Sequence, residues 1–87
     1  DKCFIGADAI SPDKGVSTIN LFRAEVVRYM AETASKMIVL TTSDKVGGCA
    51  TAAVFPLSCV HTVITDRGLT QPQEQLLRAS GVRVMKA

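Results

Sequence analysis

Four short apolar runs along the chain predict the strands of a sheet. They cover residues 3–7, 37–41, 60–65 and 82–85. Their continuous apolar character is typical of strands in a sheet that is covered on both faces. Residues 50–55 are ambiguous and fit either a further short strand or a loop.

Two segments between these runs carry helical signals. In residues 21–35, Asn20 is a good N-cap, and apolar and charged side chains fall largely on opposite faces at helical spacing. The apolar positions are Ala24, Val27, Met30, Ala31 and Ala34, and the charged positions are Arg23, Arg28 and Glu32. Residues 71–79 form the second predicted helix, because Thr70 and Gln73 have capping-box spacing and Gly81 follows the last turn.

The stretch between the first strand and the first helix is predicted to be a loop. Residues 10–19 contain Ser11-Pro12-Asp13-Lys14-Gly15, in which Pro and Gly supply strong turn chemistry. Strands that alternate with helices indicate an α/β fold with a mostly parallel sheet flanked by helices. Ligands of such sheets bind beyond the carboxyl ends of the strands. Residues 6–8, 42–45 and 65–66 are therefore expected to meet at one edge.

The composition restricts the class of protein. The 87 residues suffice for one domain, and a net charge of +2 from scattered Lys and Arg gives no argument for nucleic-acid binding. No apolar stretch approaches the roughly 18 residues of a membrane span, and no signal peptide is recognisable. We therefore expect a cytoplasmic protein without a membrane partner. The chain begins at Asp1, within a predicted strand, so we also expect it to be part of a longer protein.

The three cysteines and the one histidine give little support for a metal site. Cys3, Cys49 and Cys59 are odd in number, and their spacings fit no zinc pattern. His61 is the only histidine, and a strand position without a special role is expected for it. We expect three small, buried, reduced thiols, with neither a metal nor another cofactor.

Several consecutive segments resemble the effector domain of DeoR-type bacterial transcriptional repressors. The segment DKCFIGADAIS at residues 1–11 resembles DKAFIGADGIS of that family, and GVSTINL at 15–21 is similar to GVTTPNL, with AEV following at 24–26. The segment TSDKVG at 42–47 resembles DSSKFG. PLS at 56–58 followed by TVITD resembles PLSDIDTLITD. The resemblance covers essentially the whole chain with the right order and spacing.

The resemblance implies the fold of ribose-5-phosphate isomerase and a sensor of phosphorylated sugars or sugar alcohols. It identifies residues 1–87 as the C-terminal half of that sensor domain. The family's helix-turn-helix, which binds operator DNA, and its Ser/Thr-Gly-rich phosphate loop lie outside the matched segment. A homo-oligomer is expected, with operator DNA as a partner only through the absent helix-turn-helix.

Five residues are candidate ligand contacts. Alignment with the related isomerases implies that Asp8 accepts hydrogen bonds from sugar hydroxyls and that Lys45 pairs with a phosphate. A more loosely aligned residue, Glu25, corresponds to the isomerases' proton-transferring base. Asn20 and Thr18 can donate hydrogen bonds at the helix start, although capping is the expected role of Asn20.

Alternative interpretations of these residues remain open. Asp8 could instead cap the loop that follows it. Lys45 could be a solvent-exposed loop lysine, and Glu25 could be a solvent-exposed residue that interacts with the helix dipole. Thr42 replaces the family's usual aspartate, which weakens any argument for an acid–base partner beside Lys45, and Ala9 replaces a glycine. The sequence therefore predicts a non-enzymatic sensor, with a fragment of a sugar-phosphate isomerase-like enzyme as the alternative and a non-binding oligomerisation module as a third.

Overall fold

The structure is a computed structural model that describes residues 2–87. It has seven strands and two α-helices in these residues. In chain order they are β1 (Lys2–Gly6), β2 (Ala9–Ser11), β3 (Gly15–Thr18), α1 (Leu21–Thr33), β4 (Lys36–Leu40), β5 (Ala52–Phe55), β6 (Thr62–Thr65), α2 (Gln71–Ala79) and β7 (Arg83–Lys86). Single 3-10 turns lie at Ser43–Lys45 and Leu57–Cys59.

The larger sheet is entirely parallel and has the order β1-β4-β6-β7. This confirms the predicted α/β architecture and the four apolar strands. Because each connection advances in the same direction and crossovers of parallel strands are right-handed, the connecting helices lie on one face of the sheet. That inner face forms the core with α1 and α2, through Cys3, Ile5, Val39, Val63 and Val84 from the strands and Ala24, Val27 and Leu77 from the helices.

A second, antiparallel sheet corrects the prediction of a loop at residues 10–19. Strands β2 and β3 form a hairpin, and β5 pairs with β3, so the ambiguous residues 50–55 do contribute a strand. The Ser11–Gly15 turn closes the hairpin, and Gly15 adopts a φ of 72°. A Cβ at Gly15 would collide with the carbonyl oxygen of Phe55, so glycine is required on two counts. Ser17 is fully buried and accepts a hydrogen bond from Ala50 N at 2.9 Å.

Both helices begin as their caps predict. The Asn20 side chain accepts a hydrogen bond from the backbone N–H of Arg23, and Thr70 and Gln73 form a reciprocal capping box. Gly81 follows α2 with a φ of 88°, in the left-handed region. The first helix ends at Thr33, two residues earlier than predicted.

Two side chains of α1 differ from the amphipathic prediction. Met30 is 37% exposed, whereas the helical pattern predicts it on the apolar face. The pattern predicts Arg28 on the polar face, but its guanidinium donates hydrogen bonds to the carbonyl oxygens of Val54, at 3.0 Å, and Ala53. The polar side of α1 therefore packs partly against β5.

The cysteines also differ from their prediction. All three are free thiols, but only Cys3 is buried, whereas Cys49 and Cys59 are exposed. Both exposed cysteines lie outside the strands and α-helices that form most of the core, Cys49 before β5 and Cys59 at the end of a 3-10 turn.

The outer face of the parallel sheet exposes several large apolar side chains, while Ile38 and Thr62 in the central strands of the same face are buried. Phe4 is 57% exposed, Leu40 43% and Met85 55%, and Ile64 is half-buried among them. Register places these side chains on the face opposite the core. The sequence predicts a sheet that is covered on both faces, but among the described residues helices cover only the inner face.

We expect the isolated 87-residue chain to self-associate through this outer face, because contiguous exposed apolar surface drives association. The double variant Phe4→Lys, Met85→Lys places two charges on the face and should shift sedimentation velocity profiles toward monomer. Leu76→Lys, which changes an exposed apolar residue of α2, is the matched control and should associate like the unmodified chain. A concentration-independent monomer for the unmodified chain would contradict this prediction.

Candidate functional site

The carboxyl edge of the parallel sheet brings together the three segments that the sequence predicted to meet there. The Thr41 hydroxyl donates a hydrogen bond to Ala7 O at 3.4 Å, which joins the ends of β1 and β4. The backbone N–H of Ser43 donates to Asp66 Oδ2 at 3.1 Å, which joins the ends of β4 and β6. Three polar loops are therefore fixed relative to one another along one edge.

Asp8 fastens the end of β1 to the start of α1. Its Oδ2 accepts a hydrogen bond from Thr18 Oγ1 at 2.7 Å and another from Ile19 N at 3.0 Å. The Thr18 hydroxyl in turn accepts a hydrogen bond from Asn20 N at 3.4 Å. Both hydrogen bonds to Asp8 converge on one carboxylate oxygen, so Oδ1 makes no hydrogen bond to residues 2–87 in this arrangement.

The environment of Asp8 stabilises its ionised form. The hydrogen bond from the Thr18 side chain lowers the pKa of Asp8 most, and the Ile19 N–H lowers it further. Burial raises the pKa of Asp8, and the charges of Arg23 and Lys45 lower it by smaller amounts than the two hydrogen bonds do. Asp8 is therefore held as an ionised acceptor mainly by the hydrogen bonds from Thr18 and Ile19.

Lys45 belongs to the same edge, as predicted. It lies in the 3-10 turn that follows β4, its backbone N–H donates to Thr42 O at 3.0 Å, and its side chain is exposed. Two residues later, Gly47 N donates to Ile10 O at 2.7 Å, so the turn is held against β2. Asp8 and Lys45 therefore both follow parallel strands that end at the same edge of the sheet.

Arg23 also lies at this edge, which the sequence did not predict. Its Nη2 donates a hydrogen bond to Gly6 O at 3.1 Å, and its charge acts on Asp8. A Cβ at Gly6 would lie 3.2 Å from that same Nη2, so the glycine leaves room for the guanidinium. The helical pattern placed Arg23 on the polar face, and only the docking of α1 over the end of β1 brings it to the site.

The other three candidates have different positions. Thr18 is buried, and its hydroxyl proton is committed to Asp8. The Asn20 Oδ1 caps α1, and this exposed side chain retains its amide donors. Glu25 is exposed, and residues two apart on a helix do not share a face. Because Arg23 points to the sheet edge, Glu25 is directed elsewhere, and its charge is not among those that shift the pKa of Asp8.

A pocket of about 380 Å³ lies at the carboxyl ends of β4 and β6. Its lining is Leu40, Thr41, Thr42, Ile64, Thr65, Asp66 and Ala87, and does not include Asp8 or Lys45. Hydrogen bonds from the Ser43 side chain and from the backbone N–H groups of Ser43 and Gly68 hold the pKa of Asp66 below its ordinary value. A larger pocket, of about 540 Å³, opens at the opposite, amino-terminal edge beside His61 and Arg83, away from the candidate residues.

Residues 2–87 contain no cluster of three or more His, Cys, Asp or Glu side chains placed to hold a metal ion. No helix in that part of the chain is long and apolar enough to cross a membrane.

Comparison with known proteins identifies the family. The model of the DeoR C-terminal sensor domain matches residues 1–67, more than half of the chain. The chain belongs to the DeoR C-terminal sensor domain family. The motifs around Asp8, Asn20 and Lys45 lie within the matched segment.

Full-length relatives of this sensor domain are named as transcriptional regulators. The chain is 34% identical over 85 residues to an Escherichia coli O157:H7 protein named "Putative aga operon transcriptional repressor", covering 98% of this chain and 32% of the relative. It is 24% identical over 84 residues to the HTH-type transcriptional regulator GolR of Listeria innocua, covering 97% and 33%. An HTH-type regulator of Haloferax volcanii, GlpR, is 26% identical over 85 residues, covering 98% and 33%. The chain spans about a third of the length of these curated relatives.

We predict that Thr18→Val raises the pKa of Asp8, because it removes the hydrogen bond that lowers this pKa most. In the unmodified domain, the stability supplied by the Asp8 carboxylate is fully present above its unfolded pKa of about 4 and is lost as the pH falls through the lowered folded pKa. Carbon-detected NMR titration of the carboxyl groups measures the change directly.

Asp66 is the internal control for this titration, since its pKa is lowered by Ser43 and Gly68 and not by Thr18. An unchanged Asp8 midpoint in Thr18→Val would refute the hydrogen-bond assignment, and a parallel shift of Asp66 would indicate a general loss of structure.

Proposed function

We propose that this DeoR-type domain binds a phosphorylated sugar or sugar alcohol at the carboxyl edge of its parallel sheet. Binding changes the affinity of a DNA-binding segment elsewhere in the parent repressor for its operator. Coupling of this kind is reciprocal and typically amounts to about 1–3 kcal/mol. The parent acts as a homo-oligomer, and operator DNA is contacted outside residues 1–87.

The observation that carries this proposal is the Asp8 carboxylate, which Thr18 and Ile19 hold at the end of β1 through one oxygen, at the same sheet edge as the exposed Lys45. Sugar hydroxyl groups are hydrogen-bond donors, and a carboxylate with an unused oxygen accepts them. A phosphate requires a cation, which Lys45 supplies as an exposed ammonium at the same edge. The site therefore combines an acceptor for hydroxyls with positive charge for an anion.

The whole sensor domain extends the sheet described here into a ribose-5-phosphate-isomerase-like fold, of which residues 1–87 form the C-terminal half. Three features support this proposal: the fully parallel order of the larger sheet, its uncovered outer face, and the length of the relatives. Helices of the remaining half would cover Phe4, Leu40 and Met85.

The structure favours a sensor over the isomerase-like alternative. Proton transfer between sugar carbons needs a base within hydrogen-bond reach of the substrate. The candidate base, Glu25, is directed away from the edge where Asp8 and Lys45 meet. The relatives' names as transcriptional regulators favour the sensor as well.

Lys45→Ala should weaken binding of the effector about tenfold or more, because a charge-assisted contact contributes roughly 1.5–3 kcal/mol. Calorimetric titration would compare ribose 5-phosphate, glucose 6-phosphate and sorbitol 6-phosphate with their dephosphorylated forms. Lys36→Ala is the matched control, since Lys36 is an exposed lysine at the amino end of β4.

Equal losses in Lys45→Ala and Lys36→Ala would indicate a general charge effect and would count against the site. Asp8→Asn should weaken both the phosphorylated and the dephosphorylated compounds, because the hydroxyl acceptor is altered in each case. A phosphorylated sugar that binds all of these variants as it binds the unmodified chain would refute the proposed location.

A further inference from the structure

The first helix carries large apolar side chains on the side that faces away from the sheet. Its buried residues, Ala24 and Val27, pack into the core. On the opposite side of α1, Phe22 is 79% exposed, Val26 48% and Tyr29 70%. These three side chains have no place in the core formed by residues 2–87. The helix therefore has a second apolar side, which the described part of the chain leaves in contact with solvent.

The spacing of these residues forms a continuous stripe along α1. Phe22, Val26, Tyr29 and Thr33 follow one another at intervals of four, three and four residues. Such intervals keep side chains on one side of an α-helix, which has 3.6 residues per turn. The same intervals form the seam between two helices that pack along their length. These four residues, here called the α1 stripe, run from the first turn of the helix to its last.

The α1 stripe lies on the opposite side of the molecule from the apolar outer face of the sheet. Because Ala24 and Val27 pack on the inner face of the sheet, the stripe on the far side of α1 points away from the sheet. Phe4 and Met85 project from the other face of the sheet. Helices that cover the outer face in the parent protein would therefore leave the α1 stripe exposed, and the stripe requires a partner of its own.

The size of the stripe matches the apolar part of a dimer interface. Phe22, Val26, Tyr29 and the adjoining Met30 expose about 500 Å² of surface, since one aromatic side chain alone contributes about 150–250 Å². A standard interface buries about 800 Å² on each partner, and about 65% of a homodimer interface is apolar. The stripe and Met30 thus supply the apolar area that a stable pair of identical chains needs.

The charges that border the stripe favour one arrangement of two copies. Glu25 and Glu32 lie along one border, whereas Arg23 and Met30 lie along the other. Parallel packing of two helices brings unlike borders together, whereas antiparallel packing brings like borders together. Antiparallel copies would therefore place the glutamates of one chain beside those of the other, where like charges repel. Parallel helices avoid this repulsion.

We propose that a second copy of this chain packs against the α1 stripe, with the two α1 helices side by side and parallel about a two-fold axis. This inference rests on the homo-oligomer of the proposed function and gives it a contact surface. In such a pair each stripe residue meets its own counterpart. Phe22 and Tyr29 dominate the contact, because aromatic side chains at the centre of an interface supply most of its binding energy.

Sedimentation velocity of the Phe4→Lys, Met85→Lys variant isolates association through α1, because the outer face of that variant carries charges. This variant should still form a dimer as its concentration rises. Adding Phe22→Gln or Tyr29→Gln should weaken the dimer about tenfold or more. Glutamine is a good helix former, so the helix is retained, and thermal unfolding verifies this. Leu76→Gln, which changes an exposed apolar residue of α2, is the matched control and should leave the dimer unchanged.

Cross-linking tests the parallel arrangement. Thr33→Cys is introduced after the two exposed thiols are removed by Cys49→Ser and Cys59→Ser. In a parallel pair the two copies of residue 33 meet near the axis, so mild oxidation should give a disulfide-linked dimer. In an antiparallel pair centred on Val26 they would lie about 20 Å apart, too far for a disulfide. Ala79→Cys, an exposed position on α2, controls for random collision and should remain reduced.

The outcomes distinguish this inference from the proposed function. A Phe4→Lys, Met85→Lys variant that stays monomeric, or a dimer that survives both glutamine substitutions in α1, would overturn the inference. In the first case another part of the parent covers the stripe. A dimer in which Thr33→Cys cross-links no better than Ala79→Cys would overturn the parallel arrangement. Calorimetric titration with sugar phosphates reports on the effector site separately: binding without a dimer leaves that site standing, and a dimer without binding leaves this inference standing.

Discussion

The hydrogen bonds that Asp8 accepts from Thr18 and Ile19 are the constraint on which the rest of the site depends. They connect the end of the first parallel strand to residues immediately before the first helix. Asp8 precedes the β2–β3 hairpin, and Thr18 and Ile19 lie at its end. The hydrogen bonds to the Asp8 carboxylate therefore hold the two ends of the segment between β1 and α1 together. With the helix start fixed in this way, Asn20 can cap it and Arg23 can extend over Gly6.

The electrostatic character of the edge follows from this geometry. A carboxylate that accepts two hydrogen bonds stays ionised, as the lowered pKa of Asp8 indicates. An ionised acceptor with one unused oxygen suits a polyhydroxylated molecule, and the exposed Lys45 at the same edge can pair with an anionic group.

The sequence predicted those elements whose signals are local. The bounds of α2 are correct because Thr70, Gln73 and Gly81 act within one or two turns of the backbone that they terminate. The sequence predicts a loop in place of the β2–β3 hairpin for two reasons. The two strands are short, and they contain Ser11, Ser17 and Thr18, polar residues that are typical of loops but are buried here. Ser17 and Thr18 pair with β5, which lies more than thirty residues further along the chain, so no local signal marks their burial.

The same distinction applies to the candidate site. Asp8 and Lys45 could be located because the carboxyl ends of parallel strands share an edge, whatever the details of packing. Arg23 could not, because its position depends on how α1 docks over β1 and on the missing side chain of Gly6. The exposure of Phe4 and Met85 could not be predicted from the sequence either, because a continuous apolar run does not show which face of a sheet is covered.

The central claim is that the ligand of this DeoR-type domain binds at the carboxyl edge of the sheet. Mapping backbone amide shifts on addition of a panel of sugar phosphates tests it most directly, because the structure offers a larger pocket at the opposite edge. The account predicts shifts at residues 6–8, 18–23, 43–45 and 65–68. Shifts confined to the amino-terminal edge, at residues 58–61 and Arg83, would contradict it.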